Sequence, residues 1–208
     1  MCPESSSLDS TCGMMAPMMP RGLEEGFILD RQWFWLRGEM ERTKRPALLA
    51  LARLLAEAGV PYAIIGGMAL QVHQSEPRTT LGIDVAVATY GALPRAQFKA
   101  AGVTDTGQFS HSENWIGLEG TPVQFTDNPA LTEAITRAQE AELEDVRLRI
   151  IGRADLLHAK LRAASDPARR RSKRLHDLAD AQALIESFPA LEQELSDEER
   201  ALLDRLPQ

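Results

Sequence analysis

The chain has 208 residues, 44% of them hydrophobic and 25% charged, with a formal net charge of −7. That length suffices for one buried core with a small helical appendage, and the acidic balance argues against binding nucleic acid over the whole surface while leaving room for a local basic patch. Its two cysteines, Cys2 and Cys12, make neither a disulfide framework nor a zinc spacing, and no stretch reads as a signal peptide or membrane span, so a reducing cytoplasm is the expected setting.

Residues 1–26 are rich in Ser, Met, Pro and Gly without a period and read as disorder or an upstream extension. In FILDRQWFWLRGEM (27–40), Trp33, Phe34 and Trp35 are expected to pack in a short helix that docks on the domain. A base-stacking role is less favoured there, because only Arg31 and Arg37 accompany the aromatics. Met40 opens the expected compact unit. This gives an extension over 1–39, a domain over 40–187 and an acidic helical tail over 188–208.

RPALLALARLLAEAG (45–59) has helical spacing and closes on Gly59. PYAII (61–65) reads as a strand that Gly66-Gly67 turns into a helix, MALQVHQ, and LGIDVAVA follows as a strand. A helix over 91–101 precedes a strand-rich stretch containing NWIGLEG and PVQF. ALTEAITRAQEAEL (130–143) is expected to be helical, and VRLRII (146–151) alternates like an edge or half-buried strand. An amphipathic helix (153–163), a basic turn, a long helix (about 171–187) and an acidic helix end the chain. The order implies an α/β (α+β) domain: a small mixed sheet flanked by helices, with a helical C-terminal part.

The strand, Gly66-Gly67, helix, strand and acid succession carries chemistry. Two glycines let backbone N–H groups at a helix start approach phosphate oxygens. A carboxylate on the next strand would hold Mg²⁺ against the same phosphates. In IDVAV, Ile83, Val85 and Val87 share one face, and Gly82, Asp84 and Ala86 the other, a small-residue face able to admit a ligand. The plainer alternatives are a tight turn at the glycines and an Asp84 paired to an arginine such as Arg78.

IIGGMAL followed by RTTLGIDVAV resembles the signature of the DNA polymerase β-like nucleotidyltransferase superfamily, above all its minimal bacterial members related to abortive-infection toxins. The likeness continues through ADLLHAKLRA and RSKRLHDLADAQALI and covers roughly 45–187. It implies a small mixed sheet holding a nucleoside triphosphate and Mg²⁺ (or Mn²⁺), with in-line transfer of a nucleotidyl group and loss of pyrophosphate. It also implies nucleotide contacts from Gly66, Gly67, Arg78, Thr80 and Lys160, and catalytic roles for Asp84 and Lys160.

Two departures stand out. The resemblance implies two acids, two residues apart on one strand, and a third acid on a neighbouring strand; Gly82 occupies the place of the first, Asp84 is the second, and Gln124 stands in the place of the third, where an amide supplies no charge and no base. Asp127 replaces the missing metal ligand only if its strand ends in a bulge. Two rival readings therefore stay open: a transferase with a degraded ligand set, and an inactive nucleotide- or partner-binding module. A third is an RNA-binding adaptor. Arg169, Arg170, Arg171, Lys173 and Arg174 suit an RNA or protein acceptor, or else form a solubilising turn. Lys160 alternatively lies on a solvated helix face. Asp177 and Asp180 are expected to pair with Lys173 and Arg174, and the four histidines have no metal spacing.

Overall fold

Alternation along β2 (Ile83–Val87) decides which side of the central sheet becomes core. Ile83, Val85 and Val87 are essentially fully buried, as are Val123 and Phe125 on the neighbouring strand and Trp115 on the next. Phe98 closes this layer, edge-on to Trp115 at 5.3 Å and stacked on Phe125 at 5.7 Å. The opposite face of the same strand presents Asp84.

The computed structural model describes residues 21–38, 42–74, 79–109 and 112–205. Helices α1 (Arg21–Leu36) and α2 (Arg45–Glu57) precede β1 (Tyr62–Ile65), α3 (Gly66–His73) and β2. Then come α4 (Arg95–Ala100), β3 (Thr104–Phe109), β4 (Ser112–Ile116), β5 (Pro122–Thr126) and α5 (Thr132–Thr136). The chain continues with β6 (Gln139–Leu143), β7 (Val146–Ile150), α6 (Arg153–Ser165), α7 (Arg171–Ser187) and α8 (Asp197–Leu203). The strands form one mixed sheet in the order β3-β4-β5-β2-β1-β7-β6. Pairing is parallel for β2–β5 and β1–β7 and antiparallel elsewhere. This is an α/β fold with a helical C-terminal part. No helix among the described residues is long and apolar enough to cross a membrane.

The structure departs from the sequence expectations in two places. The first is 130–143, where only Thr132–Thr136 is α-helical and Gln139–Leu143 is the edge strand β6. Good helix formers are overridden by a ladder with β7 in which Glu140 faces Arg149 and Glu142 faces Arg147. The two-residue turn between them has Glu144 at φ 57°, while Arg53 holds Asp145 at 2.6 Å. As a result β7 lies inside the sheet rather than at its edge.

The second departure is at the start of the described chain. A helix already runs from Arg21, within the stretch expected to be irregular, and the aromatic cluster is not its docking face. Leu23, Phe27 and Asp30 recur at helical spacing and are buried, whereas Trp33 and Trp35 are 53% and 67% exposed. Gly22 and Gly26 let α1 approach α3 closely; a Cβ on Gly26 would stand 2.4 Å from the Gln71 side-chain nitrogen. Met40 lies outside the described residues.

Asp30 anchors this helix by a buried ion pair with the Lys44 ammonium at the start of α2. Removing one partner of such a pair strands the other charge. Asp30→Ala is expected to lower unfolding stability by about 3–5 kcal/mol, checked by urea denaturation against an Arg31→Ala control with little effect.

Candidate functional site

β1 ends at Ile65, whose strand partner is Asp84, so the chain turns into α3 directly beside the Asp84 carboxylate. Gly66 sits in the left-handed region at φ 62°. A Cβ there would lie 2.2 Å from Asp84 Oδ2, and one on Gly67 would lie 2.5 Å from Thr80 Oγ1. The glycine pair thus has a reason prior to any ligand: it makes room for Asp84 and Thr80.

A polar row crosses the sheet from Asp84. Gln124 is its partner on β5, and Asn114 on β4 pairs with Gln124 in turn. Gln124 Nε2 donates to Ser112 Oγ at 3.2 Å and to Asn114 Oδ1 at 3.1 Å. β5 pairs in regular register with β2 and β4 through its length, so no bulge delivers Asp127. Asp127 instead follows the strand end, where it interacts with the Tyr90 hydroxyl. At residue 82 there is no room for a side chain: a Cβ would stand 2.5 Å from the Pro122 carbonyl oxygen and 3.1 Å from Pro122 Cβ.

The facing wall comes from α6 and α7. Lys160 Nζ donates to Asp177 Oδ1 at 2.9 Å and to Asp180 Oδ2 at 2.7 Å, and Arg169 Nε donates to Asp177 Oδ2 at 2.7 Å. These acids were expected to pair with Lys173 and Arg174. They turn instead toward α6 and the turn after it, because both are buried in the α6–α7 seam. Arg174 Nε caps the Ala164 carbonyl at 2.7 Å. Lys160, 13% exposed, is therefore not on a solvated face. Arg170, Arg171 and Lys173 are exposed, and the Lys173 ammonium makes no ion pair or hydrogen bond among the described residues.

Two cavities meet along this line. One, of about 580 Å³, is lined by Gly67, Thr80, Asn114, Lys173 and His176; the other, of about 700 Å³, by Gly66, Ser112, Asp127, Arg162 and Leu156. Asp84, Gln124, Lys160, Arg169 and Asp177 line both. Arg78 lies outside the described residues. Asn114 and Ser112 were not anticipated, since on an alternating strand they look like any solvent-facing polar residue.

The donor set does not fit the paired metal ions of nucleotidyl transfer. Such a centre needs several negative oxygens around the ions. Among the described residues no group of three or more His, Cys, Asp or Glu stands close enough to hold a metal. Gly82 brings none, Gln124 is an amide, and Asp177 and Asp180 are taken by Lys160 and Arg169.

Burial pushes the Asp84 carboxyl above its usual value of 3.8, opposed by the charges of Lys160, Arg169 and Lys173 and reinforced by Asp177. The native state therefore holds this proton more tightly than the unfolded chain. Stability from this group is full below the unfolded value and is lost as pH rises through the raised native one. Asp84→Asn is expected to melt higher than the natural chain at neutral pH in chelator, with the gain vanishing toward pH 3–4. Calorimetric melts across that range provide the check. Gly66→Ala is expected to destabilise by about 1–2 kcal/mol from the left-handed backbone alone, plus the clash with Asp84. A double-mutant cycle with Asp84→Gly should return a coupling of about 0.5–3 kcal/mol.

Scans of protein-family models and of curated proteins give no match. Among solved structures, the antibiotic-resistance factor ANT(2'')-Ia matches at 13% identity over 74% of this chain and 86% of that one, with a TM-score of 0.51. An antigenic nucleotidyltransferase-like protein from Paracoccidioides brasiliensis matches at 19% identity over 74% and 89%, with a TM-score of 0.44. The lincosamide antibiotic adenylyltransferase LnuA matches at 12% identity over 64% and 92%, with a TM-score of 0.45. The likeness is one of architecture: the chain has the nucleotidyltransferase fold.

Proposed function

We propose that the cleft binds a nucleoside triphosphate and that the chain is a nucleotide-binding or partner-binding form of this fold that no longer transfers the nucleotidyl group. The observation that carries the reading is at residue 82, where strand spacing leaves no space for the acid the reaction needs. Transfer of this kind rests on charge stabilisation and positioning. With Gln124 also neutral, the strands supply one carboxylate, Asp84, to the cleft. In this reading Gly67 and Thr80 face the ligand from one wall and Lys160 from the other. Exposed Arg170, Arg171 and Lys173 offer an RNA or protein partner a basic edge. The cytoplasm is the corresponding setting.

One observation favours the transferase reading. Asp127 lines the same cavity as Gly66, Asp84 and Gln124, so a replacement ligand for Mg²⁺ or Mn²⁺ is nearby. A single experiment separates the two. The protein is incubated with each of the four labelled nucleoside triphosphates, Mg²⁺ or Mn²⁺, and total RNA or protein, and binding is followed in parallel by calorimetry. Saturable binding without incorporation is expected. Incorporation that disappears in both Asp84→Asn and Asp127→Asn establishes the transferase instead, and no binding of any triphosphate sinks both readings.

A further inference from the structure

We infer that this cleft holds polyphosphate without a divalent metal, the Lys160 ammonium serving as its built-in cation and Arg169 and Lys173 as further phosphate contacts. The inference rests on the nucleotide reading above and adds the ionic condition under which that site works.

Asp177 and Asp180, the buried carboxylates that α7 brings to the facing wall, both accept from Lys160 Nζ, at 2.9 and 2.7 Å. Lys160 is also the foremost favourable charge acting on Asp84. One compact ammonium therefore stands against two carboxylates in the cleft that Asp84 also lines, its side chain 13% exposed, and a metal ion recruiting either of those acids would have to displace it. Bringing in Mg²⁺ would require breaking the ion pairs and placing a second cation against the first.

The cations have capacity to spare. An ammonium has three N–H donors, and Lys160 directs two of them at Asp177 and Asp180. Arg169 is anchored on Asp177 through Nε, which leaves its two terminal nitrogens for a phosphate fork. Lys173 lines the 580 Å³ cavity with no ion pair among the described residues, yet its charge is felt at Asp84. Gly67 and Thr80 face these three groups across the same cavity. Anion charge that a metal would otherwise neutralise thus meets two cations already fixed by carboxylates, Lys160 and Arg169, and one ammonium unpaired among the described residues, Lys173.

The test uses the full chain stripped of metal. ATP and inorganic tripolyphosphate are titrated by calorimetry in EDTA and again in excess Mg²⁺. For each ligand, dissociation constants in the two buffers are expected to agree within about threefold. Lys173→Ala, an exposed change that should leave melting unaltered, is expected to weaken both ligands about tenfold in EDTA. Lys160→Arg keeps the charge and is expected to retain metal-free binding. Electron paramagnetic resonance with Mn²⁺ and no nucleotide should show no stoichiometric binding to the natural chain. Binding at least tenfold tighter in Mg²⁺, or a stoichiometric Mn²⁺ site, overturns the inference and leaves the nucleotide reading standing. An unaffected Lys173→Ala removes that residue from the clamp. If neither ligand binds in either buffer, the nucleotide reading falls and this inference with it.

Discussion

The Asp84 carboxylate takes up the volume that a side chain on Gly66 would fill, and the geometry of the cleft depends on that contact. β1 is paired to β2 so that its last residue, Ile65, meets Asp84. The chain must then leave the sheet over the acid, and only a left-handed glycine leaves clearance while starting α3. The two recognisable sequence features, a glycine pair and a strand acid, are therefore one mechanical unit. Asp84 also raises the energy of the folded chain, because burial disfavours its charge. A group that costs stability and is accommodated by a constrained glycine marks a place shaped for something other than packing.

Much of this arrangement is legible in the sequence because it is local. The strand–glycine–helix–strand order, the two faces of IDVAV and the glycine-closed helix over 45–59 each follow from short-range period and turn chemistry. What the sequence conceals is set by distant partners. QEAEL has the composition of a helix, and only Arg147 and Arg149 across the turn make it a strand. The aromatic run on α1 suggests a core face, yet Gly22 and Gly26, unremarkable in a Gly-rich stretch, bring the helix down on its other side. Asp177 has basic neighbours one turn away on α7 and Asp180 has them about two turns away, but the packing of α6 against α7 places Lys160 against both. Helical spacing names the candidates for an ion pair, and tertiary packing chooses among them.

Charge is distributed unevenly in the same spirit. The chain carries a net −7, yet Lys160, Arg169 and Lys173 converge on one cleft. The α6–α7 ion pairs are poor evidence of added stability, since desolvation offsets most of their attraction. What they supply is position: Lys160 and Arg169 are each held in place by an acid of α7.

Residue 82 makes substitution asymmetric in direction. A glycine can replace a bulkier residue without resistance, and the two strands can then settle together until the Pro122 carbonyl stands 2.5 Å from where a Cβ would be. Placing an acid there means prising the β2–β5 ladder apart where it begins, a backbone change that no single codon supplies. The close approach of these strands acts as a ratchet. It makes the missing side chain at residue 82 a property of the backbone spacing and not merely of one residue.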